Sequence, residues 1–276
     1  VSETASAHNL RSADSIELRH CREIAEFQAC VNLQKEVWNF SDADLIPVRM
    51  FVVASKIGGQ IIGAFDNSTL VGFALSIPGA RNGNAYLHSH MLAVREQYRN
   101  LGLGRRLKLA QRDEALTRGF ELMEWTFDPL EIKNAYLNIE KLGAIVRRYT
   151  LNQYGNSSSP LQGGLPTDRC VAEWWLNSKR VTDLLERGVR PQIDAEKTIT
   201  VPAEIYAWKA DPAKRDRARE VQLANRQQFL NSFSSGLAVL GYRRDATGNG
   251  TFLLAQPQEK FEFTSVPERE AEPSCK

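Results

Sequence analysis

Hydrophobic positions recur along this chain at two spacings, and the switches between them mark out its elements. Ser15–Arg19 reads as a short strand. Ile24, Phe27, Val31 and Trp38 then fall at roughly helical spacing and predict a helix over Arg22–Trp38. A second helical segment, Val48–Lys56, stops at Gly58 and Gly59. Three strand-like runs follow, Gln60–Asp66, Thr69–Ile77 and Ala85–Val94, joined by turn residues around Asn67 and at Pro78, Gly79 and Arg81–Asn84. Arg95–Gly104 is polar and glycine-bearing, and Leu103–Arg118 is helical with Gly119 as its stop. Glu121–Phe127 is a strand ended by Asp128 and Pro129. Ile132, Ala135, Tyr136 and Ile139 then form the stripe of an amphipathic helix closed by Gly143, and Ile145–Tyr149 is again strand-like.

Gly, Ser and Pro cluster over Gln153–Asp168, as in a long loop. Beyond it the pattern predicts a strand over Arg169–Leu176, another over Thr198–Tyr206, a helix over Pro212–Phe233, and strands at Leu237–Arg243 and Thr251–Ala255. The expected organisation is a flexible N-terminus (1–13), a first domain (14–150), a linker (151–168), an extension or subdomain (169–256) and a charged, partly disordered tail (257–276).

Composition narrows the class. At ~150 residues per domain, 276 residues suggest about two domains, or one with a substantial extension. Hydrophobic residues at 42% and charged residues at 25% exclude a disordered or fibrous chain. A net charge of +2 lacks the basic excess of a dedicated nucleic-acid binder. No apolar run nears the ~20 residues of a membrane span, and the polar, acidic start lacks the order of a signal peptide. Cys21, Cys30, Cys170 and Cys275 show no paired spacing, which fits reduced thiols in a cytoplasmic protein.

The most informative stretch runs from Met91 to Lys108: a strand ends, a loop carries Arg99, Gly102 and Gly104 spaced Arg-x-x-Gly-x-Gly, and a helix begins. Glycines let a ligand approach the backbone. Free N–H groups at a helix start, with the helix dipole, suit a phosphate. Arg105, Arg106 and Lys108 sit where cations oppose that dipole, a cost a bound polyanion would offset.

The order strand, two helices, three strands, glycine loop, helix, strand, helix, strand resembles the GNAT superfamily of acyl-CoA-dependent N-acyltransferases. The segment Asn134–Ala144 looks like the family's second signature, its Gly143 falling 39 residues (143 − 104) after Gly104. The resemblance implies a mixed α/β (α+β) fold, a mostly antiparallel central sheet flanked by helices, here with a C-terminal α/β extension. It implies acetyl-CoA or another acyl-CoA as cosubstrate and no metal. Leu92, Ala93 and Val94 would line the pantetheine arm. Arg99, Asn100, Leu101, Gly102, Leu103, Gly104 and Arg105 would cradle the pyrophosphate, with Asn134 a further contact. The partner implied is a small-molecule amine such as an amino acid, with no nucleic acid or membrane, and a homodimer is compatible with the extension. The alternative is a CoA-binding regulatory or scaffold protein that kept the fold and lost the chemistry.

That alternative is motivated by a departure. The family's usual tyrosine, which protonates the departing thiolate, is here Ile139. Tyr136 lies one turn earlier, and Tyr149 and Tyr154 are further candidates. A thiol pKa near ~8.5 makes the thiolate a tolerable leaving group at neutral pH. The acceptor matters more. A lysine-like amine of pKa ~10.4 costs on the order of 4–5 kcal/mol to deprotonate at pH 7, an α-amino group near ~8 only ~1.4 kcal/mol. For the base, His88 and His90 share one face of their strand, and alternation places Tyr86 and Leu92 on it too. Asp128, at the end of the neighbouring strand, could orient the amine or relay its proton. Asp168 and Arg169 could bind a substrate carboxylate or lock the loop with an ion pair.

Arg99→Glu or Gly102→Trp is expected to abolish acetyl-CoA binding in titration calorimetry; unchanged affinity would remove this loop as the diphosphate site.

Overall fold

The computed structural model describes residues 15–155 and 157–264. The predicted flexible N-terminus and most of the predicted tail lie outside them, as does Cys275. Ten strands form one sheet: β1 (Glu17–His20), β2 (Gln60–Asp66), β3 (Thr69–Arg81), β4 (Asn84–Val94), β5 (Leu122–Phe127), β6 (Ile145–Thr150), β7 (Arg169–Trp175), β8 (Lys197–Val201), β9 (Ala238–Arg244) and β10 (Gly250–Ala255). Their spatial order is β1-β2-β3-β4-β5-β7-β6-β9-β10-β8. The helices are α1 (Ile24–Trp38), α2 (Val48–Lys56), α3 (Leu103–Thr117), α4 (Ile132–Tyr136), α5 (Lys179–Glu186), α6 (Ile205–Ala210) and α7 (Arg215–Ser234). Every pairing is antiparallel except that of β4 with β5.

Two apolar layers sandwich the first half of the sheet. Phe27, Cys30 and Leu33 of α1 and Phe51 of α2 pack with Phe73, Met91 and Ala93 on one face. Leu103 and Leu107 of α3 pack with Ile62, Val71, Leu92 and Val94 on the other. Cys21, Cys30 and Cys170 are buried and free.

The sequence division at 150 and 169 does not divide the sheet. β7 pairs along the whole of β5, from Leu122↔Trp175 to Phe127↔Cys170. One core joins Met123, Trp125, Ile139 and Ala144 to Trp174, Val201, Phe229 and Phe252 across that division. Residues 257–264 also pack: Phe261 is buried, the Phe263 ring lies 5.2 Å from that of Trp175, and the Glu259 carboxylate accepts from Lys179 N–H at the start of α5. Two short helices depart from the sequence reading. α5 lies in a stretch given no element, and α6 takes the place of the end of the strand predicted over Thr198–Tyr206. There Pro202 ends pairing and the chain turns so that Ile205 enters the core.

The loop after β6 is locked rather than loose. Asp168, fully buried, accepts from Arg226 Nε at 2.8 Å and Nη2 at 3.1 Å, from Tyr149 O–H at 2.8 Å and from Asn152 N–H at 3.0 Å. Its carboxylate is therefore spent on structure. Replacing it leaves the guanidinium without its charge partner, so Asp168→Ala should cost about 3 kcal/mol in urea unfolding. A loss below about 1 kcal/mol, the level of an exposed pair, would show that this pair does not hold the loop.

Candidate active site

β4 and β5 pair at only two positions, Leu87↔Met123 and His88↔Glu124. Beyond them the strands separate, and the β5-facing backbone of Ser89–Val94 has no strand partner. Below the split, buried charges tie the strands. Glu124 accepts from Arg81 at 2.6 Å and also from Arg148, and Glu173 binds Arg147 and Arg148. Burial opposes ionisation of Glu173, and the two arginines outweigh it, leaving its carboxyl below the ordinary value.

A cavity of about 580 Å³ fills the split. Leu92, Lys108, Trp125, Leu137 and Asn138 line it from the α3–α4 side, and Trp38, Ile46 and Met91 from the α1 side. A single cavity lined from both faces passes through the sheet, which only a strand separation allows. The loop after β6 roofs it with Tyr154, Ser159, Leu161, Gln162 and Thr167, and Arg169 at the start of β7 joins them. That roof is fastened to the α1–α2 loop: Ser158 N–H donates to Asp44 at 2.9 Å and Ser159 O–H to the Trp38 carbonyl at 2.9 Å.

At the α3–α4 mouth the backbone fits an anion. Asn100 (φ 64°) and Gly102 (φ 75°) are left-handed, and nothing lies within 4 Å of a Cβ built at Gly102. The first helical bond at this end runs from Arg106 N–H to Gly102 C=O, so the N–H groups of Leu103, Gly104 and Arg105 have no helical acceptor. Gly104 adjoins the cavity, for a Cβ there would meet Leu92 at 3.6 Å and Leu137 at 4.0 Å. Arg106 donates instead to the Ile16 carbonyl, Lys108 lines the cavity, and Arg105 Nε donates to the Lys141 carbonyl at 3.4 Å.

The structure brings some of the sequence-named residues together and disperses others. His90, Leu92, Asp128 and Asn134 line the cavity. His88 lies behind His90, their ring centroids 6.1 Å apart. Leu92 is not on the histidine face as simple alternation requires. Ser76 pairs with Ser89 and Leu75 with Met91, leaving His90 as a bulge that turns Leu92 toward α3. Ala93 is buried against α1, and Val94 packs toward α3. Tyr136 packs on the core with the Lys141 ammonium 5.4 Å from its ring, and Ile139 is buried. Residues 137–141 widen to a π-helical turn that presents Asn134, Leu137 and Asn138 to the cavity instead.

Asp128 is engaged elsewhere. It accepts from Leu130 N–H at 2.8 Å and from the buried Lys209 ammonium at 3.0 Å, which also reaches Glu131 at 2.8 Å. Burial alone would lower Lys209; the two carboxylates outweigh it and raise it. Both Asp128 oxygens are thus taken up by contacts within the fold. The histidines differ: burial, with the neighbouring ring adding to it, lowers His88 from 6.5 to about 4, and burial lowers His90. Both are neutral at pH 7, and His90 faces the cavity.

One cavity residue carries chemistry that sequence reasoning did not assign. Lys108 Nζ is buried, donates to Ser89 O–H at 2.7 Å and stands 3.6 Å from the Trp125 ring centroid. Burial holds its pKa well below the ordinary value. Its one sequence signal was a lysine at a helix start where dipole and charge conflict. Tyr154 O–H shares a hydrogen bond of 2.9 Å with Thr126 at the roof. Arg169, named from sequence, donates to the Asp168 carbonyl and to Gln162 Oε1. Among the described residues it has no carboxylate partner, which leaves guanidinium donors free.

Residues 22–137 match the sequence model of the acetyltransferase (GNAT) family. No curated protein matches the chain. The ribosomal-protein-S18-alanine N-acetyltransferase of Escherichia coli is similar in structure at 16% identity, over 59% of this chain and 95% of that one, with a TM-score of 0.47. An acetyltransferase of the GNAT family from Streptococcus pneumoniae is similar at 16% identity over 57% and 98%, TM-score 0.46. Naa50 of Arabidopsis thaliana, solved with the bisubstrate analogue CoA-Ac-MVNAL, is similar at 18% identity over 58% and 97%, TM-score 0.45.

The buried histidine makes stability pH-dependent. With His88 at about 4 when folded against 6.5 otherwise, the unfolded chain binds more protons between those values. Its contribution is therefore complete above 6.5 and lost as pH falls toward 4. The urea midpoint should drop across that window, and less so in His88→Gln; equal drops in the two proteins would refute the assignment.

Proposed function

We propose, from the match of residues 22–137 to the acetyltransferase (GNAT) family model, that this chain transfers an acetyl or other short acyl group from acyl-CoA to the amine of a small acceptor bearing a carboxylate, such as an amino acid. The observation that carries the reading is the cavity at the strand separation, roofed on one face and lined on the other by Leu92 and Leu137, the side chains that flank Gly104 at a helix start with free N–H groups.

Acyl-CoA supplies a thioester, an acyl group already activated for attack. The N–H groups of Leu103, Gly104 and Arg105, with the Arg105 side chain, hold its diphosphate in a loop that Asn100 and Gly102 bend open. Leu92 flanks the arm where Gly104 leaves room. Main-chain N–H groups of β4, freed by the split, polarise the thioester carbonyl. In the chamber, neutral His90 takes the proton from the attacking amine. A histidine of lowered pKa is a weak base, adequate for an α-amino group that costs only ~1.4 kcal/mol to deprotonate at pH 7 and inadequate for a lysine-like amine. Arg169 turns its spare donors to the acceptor's carboxylate. The fastened roof closes the chamber to long chains, which favours a small molecule over a peptide. Free buried thiols fit a cytoplasmic setting.

With acetyl-CoA as donor, amino acids should be acylated with kcat/KM at least about tenfold above the matching amines lacking the carboxylate, the difference one charge-assisted hydrogen bond supports. Arg169→Gln should erase that preference through KM. His90→Gln should lower kcat by about 10²-fold while acetyl-CoA affinity in calorimetry holds. Tight CoA binding without transfer to any amine would favour a scaffold role instead.

A further inference from the structure

Resting on the acyl-CoA reading, we propose that Lys108 is the catalytic acid that returns a proton to the sulfur as the thioester is cleaved. The reaction needs proton traffic on both faces of the sheet: the amine loses a proton in the roofed chamber, and the thiolate gains one on the α3–α4 side. Each tyrosine is wrongly placed for the second task. Tyr136 faces the core and Lys141, Tyr149 donates to Asp168, and Tyr154 belongs to the roof. Lys108 is the α3 residue that lines the cavity, one helical turn beyond Gly104, whose own neighbours Leu92 and Leu137 line the same cavity.

Its surroundings suit an acid that must release its proton. The face of Trp125 and the Ser89 hydroxyl stabilise the ammonium, and Ser89 is itself oriented by Gln111 Oε1 at 2.9 Å. Among the described residues no carboxylate pairs with it. The titratable neighbours are His88 and His90 on β4, Glu124 and Asp128 on β5, Glu131 after β5, and Arg105 and Arg112 on α3. Glu124 is paired with Arg81 and Arg148 on the opposite face, Asp128 and Glu131 with Lys209, and Arg112 with the Leu176 carbonyl and Glu186. Burial lowers Lys108 well below its ordinary value, which makes its ammonium a readier proton donor to the departing sulfur.

The step balances. The acceptor nitrogen bonds the acyl carbon, and the carbon–sulfur bond breaks with its electron pair going to sulfur. The nitrogen's proton passes to His90, and a Lys108 ammonium proton passes to the sulfur. His90 then gives up its proton and Lys108 regains one, by way of solvent, which restores the starting state.

The decisive measurement is the titration of the CoA thiol in its binary complex, followed by ultraviolet thiolate absorbance. It requires neither an acceptor nor turnover. In the wild type the bound thiol should titrate about one unit or more below free CoA, whose value is near ~8.5. Lys108→Met keeps the stem's volume and folds, because replacing a buried charge by an apolar group of like size is often neutral or stabilising. It should restore the free value and lower kcat by about 10²-fold, removing the alkaline limb of the rate profile. Tyr154→Phe should leave the thiol titration unchanged. Identical thiol titrations in the wild type and Lys108→Met, or a shift in Tyr154→Phe instead, would overturn the assignment. Failure of the wild type to bind CoA would overturn the acyl-CoA reading beneath it.

Discussion

Two residue pairs between β4 and β5 set the geometry of everything that follows. Parallel strands cannot be joined by a tight turn, so α3 must cross over between them, and its N-terminus arrives beside the split. After His88 and Glu124 the strands part, and the separation admits one cavity that reaches both faces. The helix start supplies unpaired N–H groups at one mouth, and the loop after β6 closes the other. A third or fourth pair of ladder bonds would remove the cavity and leave the glycine loop facing nothing.

Charge pairing decides which cavity residues remain free to act. Glu124 and Glu173 are consumed by three arginines below the split, Asp128 and Glu131 by Lys209, and Asp168 by Arg226. Each carboxylate that sequence spacing brings near the site is thereby committed to holding strands or loops in place. His90, Lys108 and Arg169 face the cavity without such a partner. They are a neutral base, a buried ammonium and a guanidinium with donors to spare, arranged on opposite sides of the sheet opening. Among the described residues the Lys108 ammonium has no carboxylate partner, and a buried charge without one costs stability.

Local irregularities aim these groups. The bulge at His90 leaves both histidines on one face and sends Leu92 to the other, so the two sides of the strand present different chemistry to the cavity. The widened turn at 137–141 does the same on α4, exchanging Tyr136 for Asn138 at the cavity wall. The roof held by Ser158 and Asp44 then limits what can enter from the acceptor side.

The chain's periodicity by itself determined most elements between Ser15 and Tyr149, and the spacing of Arg99, Gly102 and Gly104 marked the loop that opens α3. Those features are local, written in residues within a few turns of one another. Tertiary structure alone decided that β7 belongs inside the sheet, that Asp128 is neutralised by Lys209 from 81 positions away, and that Tyr136 points off the cavity. It also decided that Lys108 leaves the anion loop for the strand opening. Helical and strand periods report which face is apolar, but one extra residue in a strand or a widened helical turn reverses that face downstream. Ion pairs between distant segments form only when the chain closes, so their outcome is absent from any local pattern.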